Sequence, residues 1–451
     1  MLRCIRIRRE LDHPEPAGSG EKPRARSSVR IASVSIEFPS ASNPRRGLFV
    51  QRRLLALARI AEVCVVHPQP WFPWLRPVAP STLEAEAGDG LPVVRPRMFY
   101  IPGVLKGLDG NWVRRAILPT LRALEAGGGL DLLDAHFGYP EGVGAVLAAR
   151  ELDRPVFITM RGLERPVLTQ PWRGRQLSWA LQECTGIVSV SYSLKDLALE
   201  HGVPESQIEV IPNAVDRALF HPGDQAEARR RLGLNQKDRL VVCVGMLIAG
   251  KGQHHLVEAA GRLRNRIPQL RLALIGGVAH EPRYPAYLER RIRDLGVSDM
   301  VQLLGSQAPA TIATWLQAAD VFALPTYDEG CCNAILEALA CGVPVVTTTA
   351  GDNRLLVDPP NRGRVVPIGD PDSFTEALEE ALTIEWDRTA IAAAGVAYSW
   401  DEVARKTLEF FHRRLAASRR NRAGGSGCSL PEAPGAPAQP QAIRHGARPG
   451  S

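Results

Sequence analysis

The 451-residue chain has no apolar run approaching the roughly 18 residues that a membrane-crossing helix requires. It has no Cys-x-x-Cys pair either. Its eight cysteines (Cys4, Cys64, Cys184, Cys243, Cys331, Cys332, Cys341 and Cys428) are scattered, which argues against a zinc site or a disulfide scaffold and for a reducing compartment. The stretch Met1 to Arg9 alternates basic and apolar residues and lacks the continuous apolar core of a secretory signal. A basic footprint for nucleic acid is missing as well. Of the net +7, residues 1–30 carry eight Arg or Lys against four Asp or Glu, and residues 419–451 five against one. The body between them is close to neutral, so no nucleic-acid partner is expected. Two readings of the basic ends stay open: solvated tails, or loose attraction to an anionic membrane surface.

Apolar residues make up 45% and charged residues 23%, which suits a globular protein with length enough for two cores. Residues 1–28 are charged and rich in Pro, Gly and Ser, and read as a disordered basic N-terminus. Short β-branched runs then alternate with helical stretches: strands over Val29–Val34, Glu62–Val66, Leu130–Ala135, Val156–Met160 and Ile187–Val190, with helices over Arg52–Ile60 and Glu141–Glu151. The pattern restarts near residue 239, with strands over Leu240–Val244, Leu270–Ile275, Val301–Leu304, Val321–Leu324 and Val343–Thr347. Such alternation predicts an α/β protein with two Rossmann-like, doubly wound domains. The expected boundaries are 29–215 and 216–385, then C-terminal helices over 386–415 crossing back to the first domain, and a disordered tail over 416–451.

The most informative segment runs from Thr326 through Glu329-Gly330-Cys331-Cys332-Asn333 to Glu337 and on to Gly342 and Pro344. Asn333 suits a helix N-cap, Gly342 a left-handed C′ position, and Pro344 stops the helix. A glycine-containing loop therefore delivers a helix N-terminus to the carboxyl end of a parallel sheet, where free amides favour an anion such as a diphosphate. Glu337, one turn in, can accept from two neighbouring hydroxyls, as on a ribose. Glu329 lies on the loop, toward whatever extends from the far end of the diphosphate. Lys251, in a loop between strand and helix, can neutralise a leaving phosphate. The bland readings are ordinary surface carboxylates and a solvated lysine. Cys331 and Cys332 read as small fillers, since no paired His supports a catalytic cysteine. Gly142 and Gly144 read as helix–sheet packing glycines.

Glu-x7-Glu within this segment closely resembles the donor site of glycosyltransferase family 4, whose fold is GT-B, with two such domains facing a cleft. Further motifs occur in the family's order. Ile211-Pro212-Asn213-Ala214-Val215-Asp216 resembles a Pro-Asn-Gly-Val-Asp element, and Val244-Gly245-Met246-Leu247 with Lys251-Gly252 resembles its Val-Gly-Arg-Leu and Lys-Gly pair. Asp131 to Phe137 and Thr159 to Glu164 resemble acceptor-domain strand ends, and Gly47 an early glycine loop.

The resemblance implies a retaining transferase that moves a sugar from a nucleotide diphosphate donor to a glycan or polyprenyl-linked acceptor. It implies catalytic roles for His136, Lys251 and Glu329. Donor contacts would come from Gly47, Gly245, Lys251, Glu329, Gly330, Asn333, Ala334, Ile335, Leu336 and Glu337. His136 and Arg161 would face the acceptor. No cofactor and no metal are expected, because no Asp-x-Asp element lies where a metal would be needed. Met246 departs from the family's arginine, a second phosphate cation, and leaves that task to Lys251, or in part to Arg45 or Arg46. Asp134 replaces a common His. Fold-level analogy points to exopolysaccharide or cell-surface glycan synthesis, in the cytoplasm or at the inner face of the plasma membrane. The aromatic loop Trp71–Leu75 and the mixed stretch Asn111–Leu118 would dock there, or are simply part-buried. A GT-B epimerase and a non-catalytic nucleotide-sugar-binding scaffold remain as alternatives.

Overall fold

A computed structural model of the chain describes residues 29–71, 83–85, 90–101, 106–278, 281–358, 360–394 and 398–424. The disordered N-terminus expected over 1–28 and residues 72–75 of the aromatic loop lie outside these, as does the tail from 425.

Ten strands belong to the first half: β1 (Arg30–Val34), β2 (Glu62–Val66), β3 (Gln69–Trp71), β4 (Leu83–Ala85), β5 (Pro92–Val94), β6 (Arg97–Phe99), β7 (Leu132–His136), β8 (Val156–Met160), β9 (Gly186–Ser189) and β10 (Ile208–Val210). Eight of them form one sheet in the order β10-β9-β8-β7-β1-β2-β5-β4, parallel except for the β4–β5 pair, while β3 and β6 pair separately. The second half contributes β11 (Arg239–Val244), β12 (Leu270–Ile275), β13 (Val301–Gly305), β14 (Val321–Leu324), β15 (Val345–Thr348) and β16 (Gly363–Val366). These run parallel in the order β13-β12-β11-β14-β15-β16. Continuous apolar runs such as Val321–Leu324 are buried along their length because helices cover both faces of a parallel sheet.

Each strand order reverses once. The first sheet switches between β1 and β7, the second between β11 and β14. Loops leaving adjacent strands in opposite directions open a crevice at such a point. In the second domain the loop to helix Gln253–Leu263 follows β11, and the loop to helix Asn333–Ala340 follows β14.

Five helices matter below: α1 (Leu48–Leu57), α2 (Asp109–Ala126), α3 (Gln253–Leu263), α4 (Asn333–Ala340) and α5 (Trp400–Gly424). α5 lies on the first domain. Phe411 packs on Phe157 with ring centroids 4.2 Å apart, and Thr407 Oγ1 accepts from the fully buried Arg53 Nη2 of α1 at 2.9 Å. The sequence reading ends this helix at 415, but it continues to Gly424. Ala416, Ala417, Arg419 and Arg420 are good helix formers, so the compositional change falls later than expected. Gly142 meets Ile158 of the sheet as expected, whereas Gly144 lets α2 approach: a Cβ there would stand 2.5 Å from Val113 Cγ1.

Candidate functional site

α4 begins one residue earlier than the sequence suggests. Asn333 is its first residue and Cys332 the N-cap, so the Asn333 side chain is not spent on capping. At the other end the Val343 amide donates to Ala338 O and the Gly342 amide to Leu339 O, closing the helix with Gly342 left-handed as expected. Ile335 and Leu336 bury their side chains in the second core and direct their amides to Cys332 O. They support the helix rather than offer it to a ligand. The free amides at this end are those of Asn333 and Ala334.

Two loops meet beside that end. Tyr327 N and Thr326 Oγ1 both donate to Gly250 O, which stitches the β14 loop to the β11 loop. The result is an ion pair between residues 78 apart in sequence, Lys251 Nζ to Glu329 Oε1 at 2.6 Å. Burial works against the ammonium, but Glu329 and its neighbours outweigh it and hold Lys251 above its ordinary pKa. Lys251 therefore stays charged at neutral pH. Glu337 is half-buried on α4, and burial pushes its carboxyl up to about 7 against the pull of Arg52 from the first domain. Burial raises the thiol of Cys331 to about 11 and holds that of Cys332 well above its ordinary value, which leaves both as neutral fillers. The Gly245 amide is committed to Ile275 O and is not free for a ligand.

The first domain contributes a different arrangement. Gly47 stands at φ +66° before α1, and a Cβ there would lie 2.2 Å from Glu37 O, so only glycine brings this loop so close. Arg46 pairs with Glu37, and Arg45 Nη1 donates to Ser306 O at 2.9 Å across the cleft. Both arginines are thus engaged within the protein, while Met246 is about half exposed and adds no cation to that of Lys251.

His136, expected at the acceptor, has no exposed surface. Its Nδ1 receives Arg161 Nη2 at 3.0 Å, and its Nε2 lies 3.3 Å from Asp134 Oδ2 without full hydrogen-bond alignment. A guanidinium only donates, so Nδ1 is bare and the ring proton sits on Nε2, facing Asp134. Burial pushes His136 down to about 4, consistent with that neutral form. Burial alone would raise Asp134, but His136, Arg53 and Arg161 hold it below its ordinary value. His136 therefore presents no surface of its own to the cleft and touches Arg161 instead. Burial, then Arg53, lowers Arg161 to about 9. Its Nη1 donates to Asn213 Oδ1 at 3.2 Å, and Asn213 Nδ2 donates to Asn333 Oδ1 at 2.9 Å. A chain of polar groups thus runs from the first core to the first residue of α4. Gly330 allows the approach, since a Cβ there would lie 2.6 Å from Arg161 O.

Sequence reasoning missed several residues. Glu164 accepts the amides of Gly138, Arg161 and Gly162 at 2.7 to 3.3 Å and fixes the loop bearing Arg161. Glu141 accepts the Ile36 amide, and burial pushes it up to about 8. Asp352 of the second domain accepts the amides of Tyr192 and Ser193 at 2.6 and 2.9 Å, capping a first-domain helix. No local signal marks Glu141 or Asp352, whose partners lie 105 and 160 positions away, whereas Glu164 holds amides two and three residues before it, at the end of the stretch already likened to an acceptor-domain strand end. Asn213 stood within a quoted motif but had no assigned partner. Among the described residues, no group of three or more His, Cys, Asp or Glu could hold a metal, and no helix is long and apolar enough to cross a membrane.

Two doubly wound sheets whose switch points face one cleft define the GT-B fold. Solved structures agree in fold. Sucrose-phosphate synthase from Thermosynechococcus elongatus superposes with a TM-score of 0.69 at 21% identity, covering 86% of this chain and 100% of that one. Anabaena HepE, solved with UDP and glucose, gives 0.62 at 20% identity, covering 88% and 100%. The family follows from sequence. The model described as Glycosyltransferase Family 4 matches residues 77–219, and Glycosyl transferases group 1 matches 224–396. The chain belongs to the group 1 glycosyltransferases of family 4. Similar curated proteins are the D-inositol 3-phosphate glycosyltransferases of Kribbella flavida (33% identical over 47% of this chain and 52% of that protein) and Mycobacteroides abscessus (32% over 51% and 52%). The matched region spans about half the length of these relatives.

Proposed function

We infer that the protein transfers a sugar from a nucleoside diphosphate donor to a hydroxyl acceptor. The observation that carries this reading is the Lys251–Glu329 pair standing beside the free amides of α4 at the switch point of the second sheet. The amides and the ammonium would grip the diphosphate, and Lys251 would stabilise the negative charge that grows on the leaving phosphate as the sugar–oxygen bond breaks. Glu329 holds the ammonium in place until the donor arrives and then faces the sugar, while Glu337 takes the ribose hydroxyls. Domain closure, already marked by the Arg45–Ser306 and Asp352–Tyr192 contacts, would exclude water.

The acceptor would enter through a pocket of about 450 Å³ beside Glu329, between Arg165, Thr169 and Ser193 of the first domain and Tyr327, Asp328 and Ile368 of the second. Retention of anomeric configuration, a glycan or polyprenyl-linked acceptor, and action in the cytoplasm or at the inner face of the plasma membrane belong to the same reading. A membrane surface would be met by the basic and aromatic groups of α2. On α2, Arg115 lies over Trp112, which packs on Phe99, and Arg114 pairs with Glu151. The test is a panel of nucleotide sugars supplied with and without simple glycosides. The reading expects one donor to release nucleoside diphosphate slowly alone and faster with an acceptor, giving a product of retained anomer by NMR. No release from any donor would overturn it.

A further inference from the structure

The relay between the domains has a direction, and one residue sets it. Asn213 and Asn333 carry amides that could each be turned either way, exchanging a donor for an acceptor. Arg161 removes that freedom. It can only donate, so Asn213 must present Oδ1 to Arg161 Nη1, leaving Nδ2 for the second domain. Asn333 must then answer with Oδ1. Its Nδ2 has no protein acceptor among the described residues, and it sits on the first residue of α4, beside the free amides of Asn333 and Ala334.

We propose that Arg161 and Asn213 are positioning residues that fix the Asn333 amide so that its N–H groups, not its carbonyl, join the anion-binding end of α4. This deepens the reading of the site as a diphosphate cradle and rests on it. Three features support the arrangement. Asn213 is buried, so its amide cannot turn to water. Cys332 occupies the N-cap, so the Asn333 side chain has no capping duty. Glu164 clamps the Arg161 and Gly162 amides, so the source of the polarity is itself held. The consequence is that the first domain tunes the anion-binding end of α4 through the single Asn213–Asn333 contact. Separating the domains frees Asn333 to turn its carbonyl toward the phosphate, and closing them restores the donor.

The test uses calorimetric binding of UDP, ADP and GDP to the full-length protein, with melting temperature as the check on folding. Asn213→Asp can still accept from Arg161 but cannot donate to Asn333. Asn333 must then flip, donating Nδ2 and presenting its carbonyl to the ligand. Asn213→Ala removes the constraint and leaves Asn333 free to turn either way. The inference expects Asn213→Asp to weaken the best-bound nucleotide about 10-fold, the scale of one hydrogen bond to a charged group. Asn213→Ala should weaken it only about 2- to 3-fold, although it is the less stable of the two. A merely structural role gives the reverse order, with affinity following melting temperature. A Asn333→Ala background separates the flip from the added charge, since there the further change Asn213→Asp should cost nothing. Overturning results are an Ala variant that binds as weakly as Asp, or an Asp effect that persists without Asn333. If the unmodified protein binds no nucleotide, the function reading falls and this inference falls with it.

Discussion

The two domains hold their charges in opposite ways. In the second, Lys251 and Glu329 sit on loops past the strand ends, paired with each other beside the start of α4. In the first, Asp134, His136 and Arg53 lie in the core with no exposed surface, and Arg161 is nearly as deep. Charges at the cleft can change partners when a ligand arrives. Charges in the core cannot, so their work is to hold geometry. Under the proposed function the second domain carries the chemistry, and the first sets the shape in which it occurs.

Four outcomes follow from this contrast. The largest concerns Lys251→Ala, which should lower kcat for transfer by roughly 100- to 1,000-fold, the cost of removing one preorganised stabiliser of developing charge. Rates measured at saturating donor check it, and a loss under threefold would move the chemistry elsewhere. Next is Arg53→Met, which removes the cation near Asp134 and the bond to Thr407. Breaking a buried charge arrangement costs about 3 kcal/mol, read by urea unfolding, while the rate per folded molecule changes far less than in Lys251→Ala.

The third outcome is a pH profile. Glu141 has a folded pKa of about 8 against an ordinary 4.5, so the folded state binds the extra proton between those values. Its contribution to stability is full below about pH 4.5 and is lost as pH rises through 8. Glu141→Gln should flatten the fall in stability across that window, and unfolding series at pH 5, 6.5 and 8 would show it. The smallest is Met246→Arg. An added cation on this half-exposed loop should tighten nucleoside diphosphate binding by about 3-fold, and less in high salt.

The same contrast explains what the sequence made legible. Glu329, Asn333, Glu337 and Gly342 lie within fourteen residues, and their spacing follows from one loop and one helix. Local chemistry marks them, as it marks the strands of both sheets. The cleft's other half depends on distance. Arg53 meets Thr407 354 positions away, and Asn213 meets Asn333 120 positions away. No periodicity in either segment reports such a meeting, which is why His136 reads as an acceptor contact until its ring is found enclosed by Asp134 and Arg161. Ile335 and Leu336 lie within the motif yet serve the core, because a helix shows only part of its first turn to a ligand.

The most direct test titrates UDP, ADP and GDP into the unmodified protein, Lys251→Ala and Arg53→Met under conditions where all three are folded. The account predicts that at least one nucleotide binds, that Lys251→Ala weakens it about 10-fold or more, and that Arg53→Met leaves it within about 2-fold. Equal affinity in the unmodified protein and Lys251→Ala would contradict it.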